Sequence, residues 1–221
     1  VEIIHNGTLI IDDIEDNSEQ RRGKPSIHIQ YGIDMSINTA NLMYFLPTYI
    51  INSSRIESKK KNLIYKYYLE NMRRLHIGQG LDILWHKNHS YVPGEEEYIF
   101  MCKNKTGCLS RMAAEIGAEL GAEKNSNNFV KKLGNISENL GFAFQIFDDI
   151  KNLTTGNPGK RKGDDIVEGK KSLPVIFYSK NNSFNELKEL FKTASEKGYN
   201  KAQKEITTAI DLLKTSGSIE Q

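Results

Sequence analysis

Only five prolines interrupt this chain, at Pro25, Pro47, Pro93, Pro158 and Pro174. Proline cannot donate a backbone hydrogen bond and clashes with the preceding helical turn, so long proline-free reaches are where long helices can form. Both reaches here carry apolar residues at helical period, and the fold class they predict is all-α. The spacing predicts one helix from the start to about Asp16, one from about Met35 through the Tyr44 region, and one from about Lys60 to Trp85. On the third, Tyr68, Met72, Leu75, Gln79 and Asp82 share a face. Further helices are expected at about 95 to 123, 129 to 153 and 170 to 180, with two more before the tail. Asn152 to Gly169 carries Gly156, Pro158, Gly159 and Gly163 among Lys160, Arg161 and Lys162, which suits a mobile basic loop better than a helix.

Several function classes fall away on composition. No apolar run approaches the ~18 residues that a bilayer crossing needs, so no transmembrane helix is predicted. Lys+Arg 30 against Asp+Glu 28 leaves +2, too balanced for a protein that coats nucleic acid phosphates. Cys102 and Cys108 are six apart, about 240° around a helix at ~100° per residue, and have no second Cys or His pair nearby. Reduced thiols in a cytoplasmic protein are therefore expected. No repeat or linker divides the chain, so residues 1–221 are expected to form one domain. The opening Val1-Glu2-Ile3-Ile4-His5 lacks Met and already lies inside an apolar pattern, so the true N-terminus is expected upstream.

Chemistry concentrates in two acidic runs. In Asp12-Asp13-Ile14-Glu15-Asp16, Asp12 and Asp16 stand at i and i+4 and leave one helix face together, flanked by Asp13. Like charges at that spacing cost a helix about 0.2–0.5 kcal/mol, so a cation should compensate them. Hard oxygen donors without His or Cys select Mg²⁺, which takes one or two carboxylates and completes its octahedron with water and phosphate. The alternative is a solvated acidic helix end. The second run, Phe144-Gln145-Ile146-Phe147-Asp148-Asp149, sets adjacent aspartates among aromatics, with Gly141, Gln145, Asp148 and Asn152 as a polar stripe. Burying such a pair is prohibitive unless it is neutralised. Two such clusters in a helical bundle could hold several Mg²⁺ ions, which points to a diphosphate. Arg21-Arg22, Lys105-Thr106 opening a helix, and Lys160 to Lys171 supply cations beside them; each alone reads as solvated surface charge, but a diphosphate needs both metal and direct Arg or Lys contacts.

At these residues the sequence resembles the trans-isoprenyl diphosphate synthases, or polyprenyl synthetases. Asp12 to Asp16 followed by Arg21-Arg22-Gly23 is similar to that family's first aspartate-rich motif, and Phe144 to Asp149 to its second. Gly78-Gln79 with Asp82, Lys105-Thr106-Gly107 and Glu168-Gly169-Lys170 match in order. His5-Asn6-Gly7 to Arg22, Ile37 to Asn41 and Asp148 to Asn152 are most similar to geranylgeranyl diphosphate synthases of eukaryotic type. The resemblance implies a single polyprenyl synthetase domain, an isoprenoid-synthase helical bundle around a central cavity, and a homodimer. It implies Mg²⁺, three ions per active site with substrate bound, on Asp12, Asp16 and Asp148 with Asp13 and Asp149 in support. Arg21, Lys105, Thr106, Gln145, Lys162 and Lys170 would hold the allylic diphosphate, and His5 and Arg22 isopentenyl diphosphate. Asp12, Asp16, Lys105, Thr106, Gln145, Asp148 and Lys162 would carry catalysis. Two departures stand out: Asn152 replaces the Asp of many relatives, as in the eukaryotic-type subgroup, and the family's upstream Gly-Lys…Arg segment is absent, as truncation of the N-terminal helices would produce.

The expected reaction ionises the allylic C–O bond while cations stabilise the leaving diphosphate, and isopentenyl diphosphate traps the carbocation. A dry bundle interior protects that cation from water. Terpene cyclases share the fold and an acidic motif, and a catalytically silent partner subunit is a third reading. Arg21-Arg22 and the intact second motif favour the synthase. Helical side chains lean toward the N-terminus, so Gly7 and Thr8 should line the shaft for the growing chain below Asp12. Both are small where farnesyl-forming members have aromatics, so a C20 product is expected rather than C15 or a longer chain. By the same resemblance Tyr44, Phe45 and His76 would close the floor, with ordinary core packing as the alternative.

Overall fold

The computed structural model describes residues 1–121, 127–156 and 161–220, and helices dominate them. In chain order they are α1 (Glu2–Glu15), α2 (Ile27–Tyr31), α3 (Ile33–Ser53), α4 (Ser58–Lys87), α5 (Glu95–Cys102), a π-helical turn (Lys103–Gly107), α6 (Cys108–Gly121) and α7 (Asn127–Leu153). Then come α8 (Asp164–Glu168), α9 (Leu173–Asn181), α10 (Phe184–Lys197), a 3₁₀ turn (Tyr199–Lys201) and α11 (Gln203–Thr215). Two-residue strands, β1 (Gln20–Arg21) and β2 (Lys24–Pro25), pair antiparallel between α1 and α2. Among the described residues no helix is long and apolar enough to cross a membrane.

The elements gather into two compact units. One comprises Val1–Ile77 with Lys103–Phe142, the other Gly78–Cys102 with Ala143–Gln221. In the first, Ile4, Tyr44, Tyr68, Met72 and Met112 form an apolar cluster. A Cβ on Gly7 would stand 3.1 Å from the Tyr44 ring and 3.2 Å from the Ala40 carbonyl, so glycine is what lets α1 lie this close to α3. In the second, Leu153, Ile166, Val175, Leu187, Phe191, Ile206 and Leu213 build a core shared by the end of α7 and α8 to α11.

Four expectations need correction. The helix begun near Met35 does not stop at Tyr44 but runs through Pro47 to Ser53. The helix continues although proline cannot donate to the Met43 carbonyl four residues back, a cost of ~3 kcal/mol inside a helix. Lys105-Thr106 does not open a helix; it occupies the π-helical turn between α5 and α6. Asp164–Glu168 forms one helical turn, α8, inside the stretch read as loop, set between left-handed Gly163 and Gly169. Lys170 precedes α9 instead of starting it. Residues 122–126, which include the expected end of the helix begun near 95, and 157–160, which include Pro158, Gly159 and Lys160, lie outside the described residues. Cys102 and Cys108 are free and buried, and burial pushes both thiols up to about 12.

Candidate functional site

The first acidic cluster is assembled by a tight turn. Arg22 and Gly23 both have positive φ, 53° and 74°, in the two-residue link between β1 and β2, the backbone of a right-twisted hairpin. That hairpin folds Arg21 back onto α1. Its Nε and Nη2 donate to Asp13 Oδ1 at 2.9 and 2.5 Å, and Nη2 also reaches Asp12 Oδ2 at 3.4 Å. From the π-helical turn, Lys105 Nζ stands 3.3 Å from Asp12 Oδ1. Burial alone would lower the Arg21 pKa, but its bond to Asp13 and the charges of Asp13, Asp12 and Asp16 outweigh burial and raise it.

Thus the structure brings Asp12, Asp13, Arg21 and Lys105 together, with the Asp16 charge felt at Arg21. Asp13 is turned inward at 4% side-chain exposure, whereas Asp12 keeps 18%. The Asp12 contacts are longer than the ~2.7–2.9 Å of a tight charge-assisted bond. His5 instead faces Glu2, at 3.7 Å, and Arg22 is exposed at the hairpin tip. Among the described residues neither pairs with the aspartates. Thr106 is half-buried in the π-helical turn.

The second cluster centres on Asp149, which is fully buried. Tyr98 Oη donates to Oδ2 at 2.7 Å, and Gln145 Nε2 to Oδ1 at 2.9 Å. Lys170 Nζ lies 2.9 Å from Oδ1 and 3.5 Å from Asp165 Oδ2. Burial lowers the Lys170 pKa, yet Asp149, Asp165, Asp82 and Glu168 together lift it well above an ordinary lysine. Burial and then the Asp149 charge raise that of Tyr98. Asp148 is half-buried one position earlier, and Lys162 is exposed. Asn152 Oδ1 accepts from the Asp165 amide at 3.3 Å, tying α7 to α8. Asp82, 3% exposed, pairs with His86 at 3.0 Å.

The polar stripe read from sequence put Gln145 with Asp148; the structure bonds it to Asp149, four residues on. Sequence reasoning missed Tyr98 and Asp165. Tyr98 is 51 residues from its partner, a separation at which no spacing rule operates. Tyr44 is buried, edge-on to His76 at 5.5 Å, and packs against Gly7. Gly7 faces α3, and Phe45 is 67% exposed.

Among the described residues no three His, Cys, Asp or Glu side chains gather closely enough to cage a metal by themselves. An all-oxygen set with one partly open carboxylate beside two cations fits Mg²⁺, which binds through one or two carboxylates plus phosphate.

The family model for polyprenyl synthetases matches residues 1–212. A geranylgeranyl pyrophosphate synthase of Eremothecium gossypii is 41% identical over 182 residues, covering 80% of this chain and 55% of that protein. Its counterpart in Dictyostelium discoideum is 36% identical over 219 residues, covering 98% of this chain and 67% of that protein. Geranylgeranyl pyrophosphate synthetase from Pyrococcus horikoshii, a crystal structure, superposes at a TM-score of 0.83 with 32% identity, over 99% of this chain and 65% of that one. The chain thus spans between about half and two thirds of the length of the relatives it matches.

Proposed function

The chain belongs to the polyprenyl synthetase family, and from that premise we propose that it acts in a Mg²⁺-dependent prenyltransferase. The reaction joins isopentenyl diphosphate to an allylic diphosphate, and the product we assign is geranylgeranyl diphosphate, as the names of the relatives suggest. The observation that carries this reading is Asp12 set between Arg21, at 3.4 Å, and Lys105, at 3.3 Å. An incoming diphosphate can take both cations and leave Asp12 to a metal.

Asp12, Asp16 and Asp148 would hold Mg²⁺, three ions in all with substrate, while Asp13 and Asp149 hold the cations behind them. When bound, Mg²⁺ neutralises the charge that builds on the leaving diphosphate. Arg21, Lys105, Lys162 and Lys170 would bind the same group, and His5 and Arg22 isopentenyl diphosphate. The amide of Gln145 and the hydroxyl of Thr106 would turn dipoles to the allylic cation, and the released diphosphate would accept the final proton. The chain would act as one polyprenyl synthetase domain, in a cytoplasmic homodimer. The exposed Ile29, Tyr31, Ile33, Met35, Phe45 and Tyr49 of α2 and α3 support the dimer, because an apolar face of this kind marks an interface.

Incubation with Mg²⁺, isopentenyl diphosphate and each allylic primer, followed by product analysis, tests the proposal. A C20 prenyl diphosphate is expected. A cyclised hydrocarbon would instead make the protein a cyclase, and no turnover in the full-length protein would make it a silent subunit.

A further inference from the structure

A partly buried ion chain runs through the first unit beside the π-helical turn. Arg74, on α4, donates from Nε to Asn104 Oδ1 at 2.9 Å and pairs through Nη2 with Glu138 Oε1 at 2.5 Å. Glu138 continues to Arg111 at 3.6 Å, Arg111 to Glu115 at 2.8 Å, and Glu115 to Asn71 at 3.2 Å. Glu115 is 4% and Asn104 6% exposed. Buried ion pairs of this kind often add nothing to stability over apolar packing. Position is what this chain supplies. Arg74 grips Asn104, the residue before Lys105. At the other end of the turn a Cβ on Gly107 would stand 2.9 Å from the Glu138 carbonyl, so the same stretch of α7 abuts both the ion chain and the turn.

A π-helical turn inside a helix is uncommon and concentrates at functional sites, because it holds backbone and side chains off the regular helical path. We propose that Arg74 is a positioning residue which, through Asn104 and Glu138, fixes the π-helical turn and thereby sets where Lys105 and Thr106 stand. That these two residues serve a diphosphate rests on the function proposed above; that Arg74 holds the turn does not. Lys105 is the visible output of the arrangement, since the turn delivers its amine to Asp12. A lysine at position 74 keeps a charge for Glu138 but loses the planar guanidinium, whose Nε donates to Asn104 while Nη2 stands beside Glu138.

The test compares the full chain with Arg74→Lys, Asn104→Ala and the double variant. Hydrogen exchange of the ligand-free protein is read in a peptide covering 103–107, beside thermal unfolding and steady-state kinetics with Mg²⁺, isopentenyl diphosphate and farnesyl diphosphate. Each single variant should speed exchange in the turn by roughly tenfold, and the double no further, because both remove one contact. The unfolding midpoint should fall by no more than a few degrees. kcat/KM for the allylic diphosphate should fall roughly tenfold, because Lys105 and Thr106 would serve both its binding and its ionisation. Unchanged exchange at the turn in both single variants, additive effects in the double, or faster exchange spread across the whole unit would overturn the proposal. A wild-type chain without turnover would remove the prenyltransferase reading and leave exchange alone to decide Arg74.

Discussion

The two Asp-Asp pairs are spelled alike, yet each splits its two carboxylates between different tasks. In α1 the second aspartate, Asp13, is buried on Arg21 while Asp12 stays partly open. In α7 the second aspartate, Asp149, is buried on Lys170, Tyr98 and Gln145 while Asp148 is half-buried. Adjacent helical residues point ~100° apart, so two neighbouring carboxylates cannot both leave the same face. One must turn inward, and an inward carboxylate needs a cation and hydrogen bonds. The units differ in where that neutralisation comes from. Arg21 arrives on a hairpin eight residues downstream, whereas Asp149 is met by Tyr98 of α5 and by Lys170 ahead of α9. The inward aspartate is therefore neutralised locally in the first cluster and from farther along the chain in the second.

Turnover should divide the pairs most sharply. Asp12→Ala and Asp148→Ala are each expected to lower kcat by on the order of 10²–10³ with the fold intact. Circular dichroism and single-turnover assays check this; near-native turnover at saturating Mg²⁺ in either variant would show that its cluster is not the one binding metal.

Stability should divide them in the opposite direction. Asp149→Ala leaves the Lys170 ammonium buried without its nearest carboxylate, at a cost of about 3–5 kcal/mol. Asp13→Ala should cost less, because Arg21 is 22% exposed and keeps Asp12 within 3.4 Å. Asp12→Ala should change the denaturant midpoint little. If Asp149→Ala unfolded no more easily than Asp12→Ala, the distinction between buried and open aspartates would collapse.

Much of the arrangement was legible in the sequence, and its limits follow from range. Proline placement and apolar period located the helices, and the i, i+4 spacing put Asp12 and Asp16 on one face. The π-helical turn left no trace, since Lys103 to Gly107 contains no residue that excludes an α-helix. Nor did α8, whose five residues are too few to show a period. Tyr98 at Asp149 and Arg74 at Asn104 depend on tertiary contacts that no local pattern encodes.

A smaller effect isolates a cost that the second unit carries alone. Lys171 is 2% exposed and its Nζ donates to the Gly169 carbonyl at 2.7 Å, with the rings of Phe184 and Phe191 about it. Burial lowers its pKa to about 8 from 10.5, against a weaker opposing pull from Asp82. Between those two values the unfolded chain binds the extra proton, so this residue makes stability rise with pH across the window and fall as pH drops through about 8. Lys171→Met should raise stability at pH 7 by ~1–3 kcal/mol and flatten that slope in urea titrations. An unchanged slope would mean that the amine is not buried as a cation.

The smallest energetic differences concern product length in the first unit, where Tyr44 and Phe45 are neighbours in sequence and opposites in placement. Tyr44 packs against Gly7 and His76, whereas Phe45 is 67% exposed. A side chain that stops a growing prenyl chain acts by occupying the volume of the next units, and hydrophobic pockets discriminate by about 1–3 kcal/mol per methylene. Tyr44→Ala is therefore expected to move the product beyond C20, and Thr8→Phe, one position from the tight Gly7 contact, to shift it toward C15. Phe45→Ala should leave the distribution where it is and instead loosen self-association, by about 1 kcal/mol or more, if its face meets a second copy. Product chromatography and sedimentation on the same three variants separate these outcomes. A longer product from Phe45→Ala with unchanged sedimentation would place Phe45 at the floor and refute the division between buried and exposed neighbours on α3.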